Sequence, residues 1–202
     1  DNLMAKGRKK ETNLAIMEKD KRLFQALAKR GRATADLTEH YYNISEKRLN
    51  KMVKQGYLKK EPIVWQSKAT YCYRLDRKAQ DYVKNNIFSV DALYKPATAG
   101  TTHDVALFQE FGKLSATQQD LAMTEIDITN QYSKLSYASV VDLYIPSYKD
   151  ESGNVIAEQA IEIITPNYSK EAIEKKEIYV KECLNTSNYK QVYTTYKGTR
   201  EM

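Results

Sequence analysis

The chain has little of what marks secreted, membrane-spanning or metal-centred proteins. Its 202 residues include two cysteines, two histidines and one tryptophan. Cys72 and Cys183 form no CxxC and no ligand-type spacing, so the sequence encodes neither a zinc module nor a disulfide framework. They read as free thiols of a cytosolic protein. His40 and His103 are too few to supply the paired histidines of a rolling-circle nicking enzyme. The 16 tyrosines, spread over both halves, suit half-buried strands and interfaces better than relaxase chemistry. No apolar run approaches the roughly 20 residues that cross a bilayer. The basic stretch from Ala5 to Lys10 has no apolar segment behind it and does not read as a signal peptide.

What is present is an ordinary complement for soluble cores, 42% hydrophobic and 29% charged residues, with an uneven spread of charge. Residues 1–88 hold 21 Lys and Arg against 10 Asp and Glu, a net +11. Residues 89–202 hold 11 against 16, a net −5. A surplus of that size on one small domain is the electrostatic footprint of a nucleic-acid binder, because neutralised phosphates release condensed counterions. The change of sign also divides the chain into a basic domain (1–88), a linker (89–102) carrying Pro96 and Gly100, and an acidic domain (103–202).

The basic domain has the element order of a winged helix-turn-helix. An amphipathic helix is expected from Asn13 to Lys29, with Leu14, Ile16, Met17, Leu23, Phe24, Ala26 and Leu27 apolar, and Gly31 ends it. A short helix from Thr34 to Tyr41 and a turn at Tyr42, Asn43 and Ile44 lead to Ser45, an N-cap in front of Glu46 to Lys54. That third helix buries Leu49, Met52 and Val53. It leaves Lys47, Arg48, Lys51 and Lys54 outward, where a recognition helix meets phosphates and base edges. Gly56 stops it. A strand enters at Tyr57 and Leu58, and Thr70 to Leu75 return. The loop from Pro62 to Ala69 is the wing, with Trp65, Gln66 and Lys68 placed to touch the flanking backbone or minor groove. Asn50 is the candidate base contact, because a free amide pairs bidentately with adenine. Winged helices also serve as protein-binding modules, and charged helix faces are often only solvated; the charge division favours duplex DNA. Arg77 to Asn86 closes the domain as a helix.

The acidic half is expected to be a small α/β domain, which makes the chain α/β in class, α+β overall. Its helix runs from His103 to Leu114, and strands follow over Thr124 to Thr129, Ser139 to Pro146 and Val155 to Thr165. The last two are joined by a hairpin from Lys149 to Asn154. An amphipathic helix from Ser169 to Leu184 and a strand from Gln191 to Thr195 complete it. The first dozen residues, and the tail after Lys197, read as loose.

The order of these segments carries a resemblance. His103-Asp104-Val105 open a helix, Val141-Asp142-Leu143 lie on one strand, Ala160-Ile161-Glu162-Ile163-Ile164 on the next, and Lys170 to Tyr179 on the helix after it. In this the chain resembles the replication-relaxation family of plasmid and mobile-element proteins, from about Lys21 to Tyr193, in pattern more than in any invariant motif. The resemblance implies a winged helix joined to a domain similar to PD-(D/E)XK nucleases. It also implies a role in regulating replication or transfer of a mobile element, or in transcriptional repression.

Nucleases of that kind hold Mg²⁺ with two carboxylates on adjacent strands and use a nearby cation to orient water or stabilise the leaving charge. Asp142 and Glu162 are the matching carboxylates and the candidate metal ligands. The family's lysine, two residues after the glutamate, is replaced here by Ile164. Lys170, Lys175 or Lys176 on the following helix are left as substitutes. Three readings of the pair stand: a vestigial or binding-only pocket, a structural pair, and a working metal-dependent nuclease or nickase targeted by the winged helix. An acid inside an apolar run such as Val140 to Leu143 or Ile161 to Ile164 is costly unless paired. His103-Asp104 reads as a helix cap in the first place and as a peripheral pocket group in the second. Only the nuclease reading calls for a cofactor, Mg²⁺. The expected partners are double-stranded DNA, a second copy of the chain, and a protein met by the acidic half, with no membrane. That half could instead mimic phosphate and mask the basic one.

Overall fold

The computed structural model describes residues 12–87, 93–94, 100–195 and 198–201. Among these residues it is mixed α/β, with eight helices and three small sheets. Helix α1 (Glu18–Arg30) begins later than its apolar pattern suggests. The carboxylate of Asp20 turns back to accept the Met17 backbone N–H at 2.7 Å, which fixes the first turn there. Gly31, at φ 88°, ends α1 ahead of the short strand β1 (Ala33–Thr34). Helix α2 (Ala35–Tyr42) closes on Asn43 in the left-handed region. Ser45 caps α3 (Glu46–Lys54) as its sequence position predicts, its Oγ accepting the Arg48 N–H at 3.3 Å.

Strands β2 (Leu58–Trp65) and β3 (Lys68–Leu75) pair antiparallel from Leu58–Leu75 to Trp65–Lys68. The expected loop from Pro62 to Ala69 is therefore strand, apart from a two-residue turn at Gln66 and Ser67. Both turn residues have positive φ, 51° and 63°, which matches the twist of a tight hairpin. Pro62 is tolerated because β2 is the edge of the sheet order β1-β3-β2. Helix α4 (Arg77–Asn86) follows, capped by Asp76.

The acidic half departs further from expectation. Helices α5 (Thr101–Gly112), α6 (Ala116–Leu121) and α7 (Glu125–Gln131) come first. The expected strand over Thr124 to Thr129 is α7. Thr124 and Asp127 bond each other's backbone N–H groups in a capping box, a helix-start signal that overrides the alternating apolar pattern. Of the expected strand from Ser139 to Pro146 only β4 (Leu143–Ile145) forms, which leaves Asp142 at its entrance. Strands β5 (Tyr148–Lys149) and β6 (Val155–Ile156) make the anticipated hairpin, turning at Gly153 with φ 80°. Then come β7 (Gln159–Ile164), α8 (Lys170–Glu182) capped by Ser169, β8 (Tyr189–Thr195) and β9 (Gly198–Glu201). The sheet order is β4-β7-β8-β9; β7 and β8 are parallel, joined through α8. The backbone after Lys197, expected to be loose, pairs with β8 as β9. The first residues, 1–11, also expected to be loose, lie outside the described residues, as does most of the linker.

The linker does not separate two cores. Helix α5 packs on α1, α2 and β1 from one side and on β7 and β8 from the other. One buried cluster consequently runs from Phe24, Leu49 and Met52 through Val105, Phe108 and Phe111 to Leu143, Ile161 and Val192. The contact between α5 and α2 is close enough that a Cβ on Gly112 would sit 2.6 Å from the ring of Tyr41. Polar ties cross the same boundary. Lys29 Nζ donates to the carbonyls of Gln119 and Ala122 at 2.8 and 3.2 Å, and Arg22 pairs with Asp120 at 2.6 Å. A smaller cluster, including Ile128, Val141, Tyr179 and Val180, fills the far side of the second sheet. No helix among the described residues is long and apolar enough to cross a membrane.

Candidate nucleic-acid face and carboxylate cluster

The outer face of α3 follows from its apolar spacing. Leu49 and Met52 are fully buried, so Lys47 and Lys54 are exposed and Lys51 half-exposed. None of these three lysines has a carboxylate partner among the described residues. With Glu46 and Asn50 they line a surface groove of about 500 Å³. At the hairpin tip, Gln66 and Lys68 are also exposed.

Three residues expected on this face have other duties. Arg48 bends back to α1, where Nε donates to Asp20 Oδ1 at 2.8 Å and Nη2 bonds Oδ2 and, at 2.9 Å, the Ala15 carbonyl. Asp20 is fully buried, and its hydrogen bond holds the Arg48 guanidinium above its ordinary pKa. Arg48 is thus a clamp between two helices and not a free phosphate contact. Trp65 is only 8% exposed and belongs to the core, so it cannot reach a groove. Asn50 has its amide oxygen engaged by Lys60 Nζ at 3.1 Å and by the Tyr73 hydroxyl at 3.3 Å. It is held, not free.

In the acidic half Asp142 and Glu162 do meet. Each carboxylate accepts a backbone N–H from the other's segment: Asp142 N–H donates to Glu162 Oε2 at 2.8 Å, and Ile163 N–H to Asp142 Oδ2 at 2.9 Å. The cation beside them is Lys176, whose Nζ lies 3.1 Å from Glu162 Oε1 and donates to the Val140 carbonyl. Lys170 and Lys175 do not take part. They face outward and pair with Glu174 and Glu171 along the helix. The helical period explains the choice, since Lys176 shares a face with the buried Tyr179 and Val180.

Two further members complete the cluster: Tyr168, which was not anticipated, and His103, which matches the peripheral-pocket alternative. The Tyr168 hydroxyl donates to Glu162 Oε1 at 3.0 Å. His103 Nε2 sits 2.9 Å from Asp142 Oδ2, while its Nδ1 faces Asp104. His103-Asp104 do not cap α5, because Gly100 holds that position; Asp104 instead forms a buried pair with Arg32 at 2.9 Å. Arg30 is buried as well, and its Nη1 donates to the Asp142 carbonyl at 3.2 Å. A drop in local polarity along β7 marked Glu162 in the sequence, but nothing short-range marked Tyr168 or Arg30.

Burial sets the protonation of this cluster. It works against the His103 imidazolium, yet Asp104 and Asp142 outweigh it and raise His103 to about 10. Burial likewise opposes the Asp142 carboxylate, and the His103 contact overcomes it, holding Asp142 below its ordinary value. Glu162 has no comparable release. Burial, reinforced by the charge on Asp142, pushes it up to about 8 despite Lys176. The result is a charged His103–Asp142 pair beside Glu162, whose charge burial and Asp142 oppose while Lys176, the Tyr168 hydroxyl and the Asp142 N–H favour it.

These residues do not fit a divalent cation. Both Glu162 oxygens and Asp142 Oδ2 are occupied by N–H and O–H donors, and Glu162 is inaccessible. Among the described residues, no group of three or more His, Cys, Asp or Glu side chains is arranged to hold a metal ion.

Known protein families, curated proteins and solved structures contain no match to this chain. A reading of DNA binding therefore rests on the chain's own geometry and charge.

Proposed function

We propose that the protein binds duplex DNA, with α1–α3 and the β2–β3 hairpin acting as a winged helix whose third helix enters the major groove. The observation that carries this reading is the set Lys47, Lys51 and Lys54 on one face of α3, all without a carboxylate partner among the described residues, in a segment with a net charge of +11. Some surface lysines take an i,i+4 acidic partner, as Lys175 does with Glu171. Those of α3 do not. Lys68 at the hairpin tip extends the basic surface toward the flanking phosphates. The resemblance to replication-relaxation proteins supports a regulator of a mobile element's replication, transfer or transcription in the cytoplasm. The acidic half then supplies a dimer contact or a protein partner. Full-length protein should retard duplex DNA at low salt. A Lys51→Glu/Lys54→Glu variant, folded by circular dichroism, should not.

A nuclease-like second half is the second reading, and one observation favours it: Asp142, Glu162 and a lysine converge, with Lys176 in place of the missing residue at 164. The saturated carboxylate oxygens weigh against its working as a metal enzyme. Nicking of supercoiled plasmid in Mn²⁺ that disappears in Asp142→Ala would establish it; no nicking is expected.

A further inference from the structure

We infer that Asn50 is a donor-only base reader, set by Lys60 and Tyr73 to recognise the paired acceptors of guanine in the major groove. The inference rests on the reading of α3 as the DNA-contacting helix. It goes beyond that reading by naming the base and the residues that impose it.

Asn50 sits in the α3 groove among Lys47, Lys51 and Lys54. An asparagine amide normally offers one acceptor and one two-proton donor, and its two ends are told apart only by their partners. Here the partner decides. Lys60 Nζ, 3.1 Å away, is an ammonium with no acceptor capacity, so the atom facing it must be Oδ1. The Tyr73 hydroxyl, at 3.3 Å, takes the second lone pair of that oxygen. Tyr73 is fully buried and Lys60 lies over the Tyr71 ring, 4.3 Å from its centroid, so neither holder is free to swing away. Nδ2 has no protein acceptor among the described residues, on a residue that lines the groove.

An amide fixed this way cannot make the adenine pair, which needs its oxygen to accept from N6 and its nitrogen to donate to N7. What it can meet is a base edge made of acceptors. In the major groove guanine presents two adjacent ones, N7 and O6. Adenine presents one beside a donor, thymine one beside a methyl group, and cytosine only a donor. The three lysines around Asn50 are donors too and reinforce the same choice. Glu46, the acceptor of this groove, lies one helical turn away, where it suits the N4 amino group of a paired cytosine.

The test is selection of binding sites from randomised duplexes by the full-length protein, followed by competition with duplexes carrying 7-deazaguanine, which lacks the N7 acceptor. Wild type should select guanine at one position that Asn50→Ala leaves unselected. A single 7-deazaguanine there should weaken wild-type binding about tenfold, within the range of one base contact, and leave Asn50→Ala unchanged. Lys60→Met removes the donor-only partner and leaves the Tyr73 hydroxyl, which can donate or accept, so the amide can turn and the preference at that position should move toward adenine. Tyr73→Phe, tested for folding by urea unfolding, should leave the guanine preference in place, since Lys60 still fixes the oxygen. Selection of adenine by wild type at the Asn50-dependent position would overturn the inference while leaving DNA binding intact. So would a guanine preference indifferent to Asn50→Ala. If no duplex is bound at any salt, this inference and the DNA-binding reading fall together.

Discussion

Replacing Arg48 with alanine leaves Asp20, a carboxylate with no solvent exposure, without its main partner. Breaking a buried pair from one side costs about 3–5 kcal/mol, because the remaining charge keeps its desolvation penalty. Two features move the expectation to the lower end. Asp20 retains the Met17 N–H, and the Arg48 side chain is 21% exposed, so water can enter the space it vacates. A loss of about 2–3 kcal/mol follows. For a chain of this length each kcal/mol moves Tm by about 2–4 °C, which gives a fall of roughly 5–10 °C. Urea unfolding should show a lower midpoint at an unchanged m-value. The Asp20→Asn/Arg48→Ala double variant should lose less than the sum of its single variants, since one interaction cannot be lost twice. A wild-type midpoint in Arg48→Ala, together with a loss of DNA binding like that of Lys51→Ala, would refute the clamp and restore Arg48 to the recognition face.

Three other outcomes follow from the packing and the cluster. Gly112→Val should lower stability by about 1–3 kcal/mol, as overpacking against the Tyr41 ring, and a neutral result in thermal unfolding would dissolve the close α5–α2 contact. Lys176→Met should destabilise the chain, whereas Lys170→Ala, on an exposed site, should stay within about 0.5 kcal/mol of wild type; equal effects in urea would contradict the assignment of Lys176. His103, raised from 6.5 to about 10, binds its proton more tightly folded than unfolded. Its contribution is full below pH 6.5 and disappears as the pH rises to 10, so the wild-type midpoint should fall across that window more steeply than that of His103→Asn.

The basic half was the more legible because its signals are local. Ser45 ahead of an apolar 3.6-period sets α3 within a few residues of chain, and Leu49 and Met52 then dictate which side faces water. What the period could not reveal is that Arg48, on the rim of that face, meets a buried acid 28 positions earlier. The same limit applies to Asn50 and Trp65, whose roles depend on where the hairpin packs. In the acidic half, Thr124 with Asp127 competes with an alternating apolar run, and the capping box wins. Asp142 and Glu162 were legible as a pair because apolar neighbours made isolated charges costly. Their partners were less so, since Tyr168 and His103 are brought in by tertiary packing. The change of charge sign near residue 88 is real in the sequence, yet α5 contributes to one core on both sides of it.

The most direct test of DNA binding is the salt dependence of full-length protein on duplex DNA, measured for wild type and for Lys47→Ala/Lys51→Ala/Lys54→Ala. Each phosphate neutralised contributes about −0.9 to the slope of log affinity against log salt. If the three α3 lysines meet phosphates, the variant should bind more weakly to every sequence, with a slope shallower by about 2–3. A wild-type affinity indifferent to salt, or a slope that the triple substitution leaves unchanged, would contradict it.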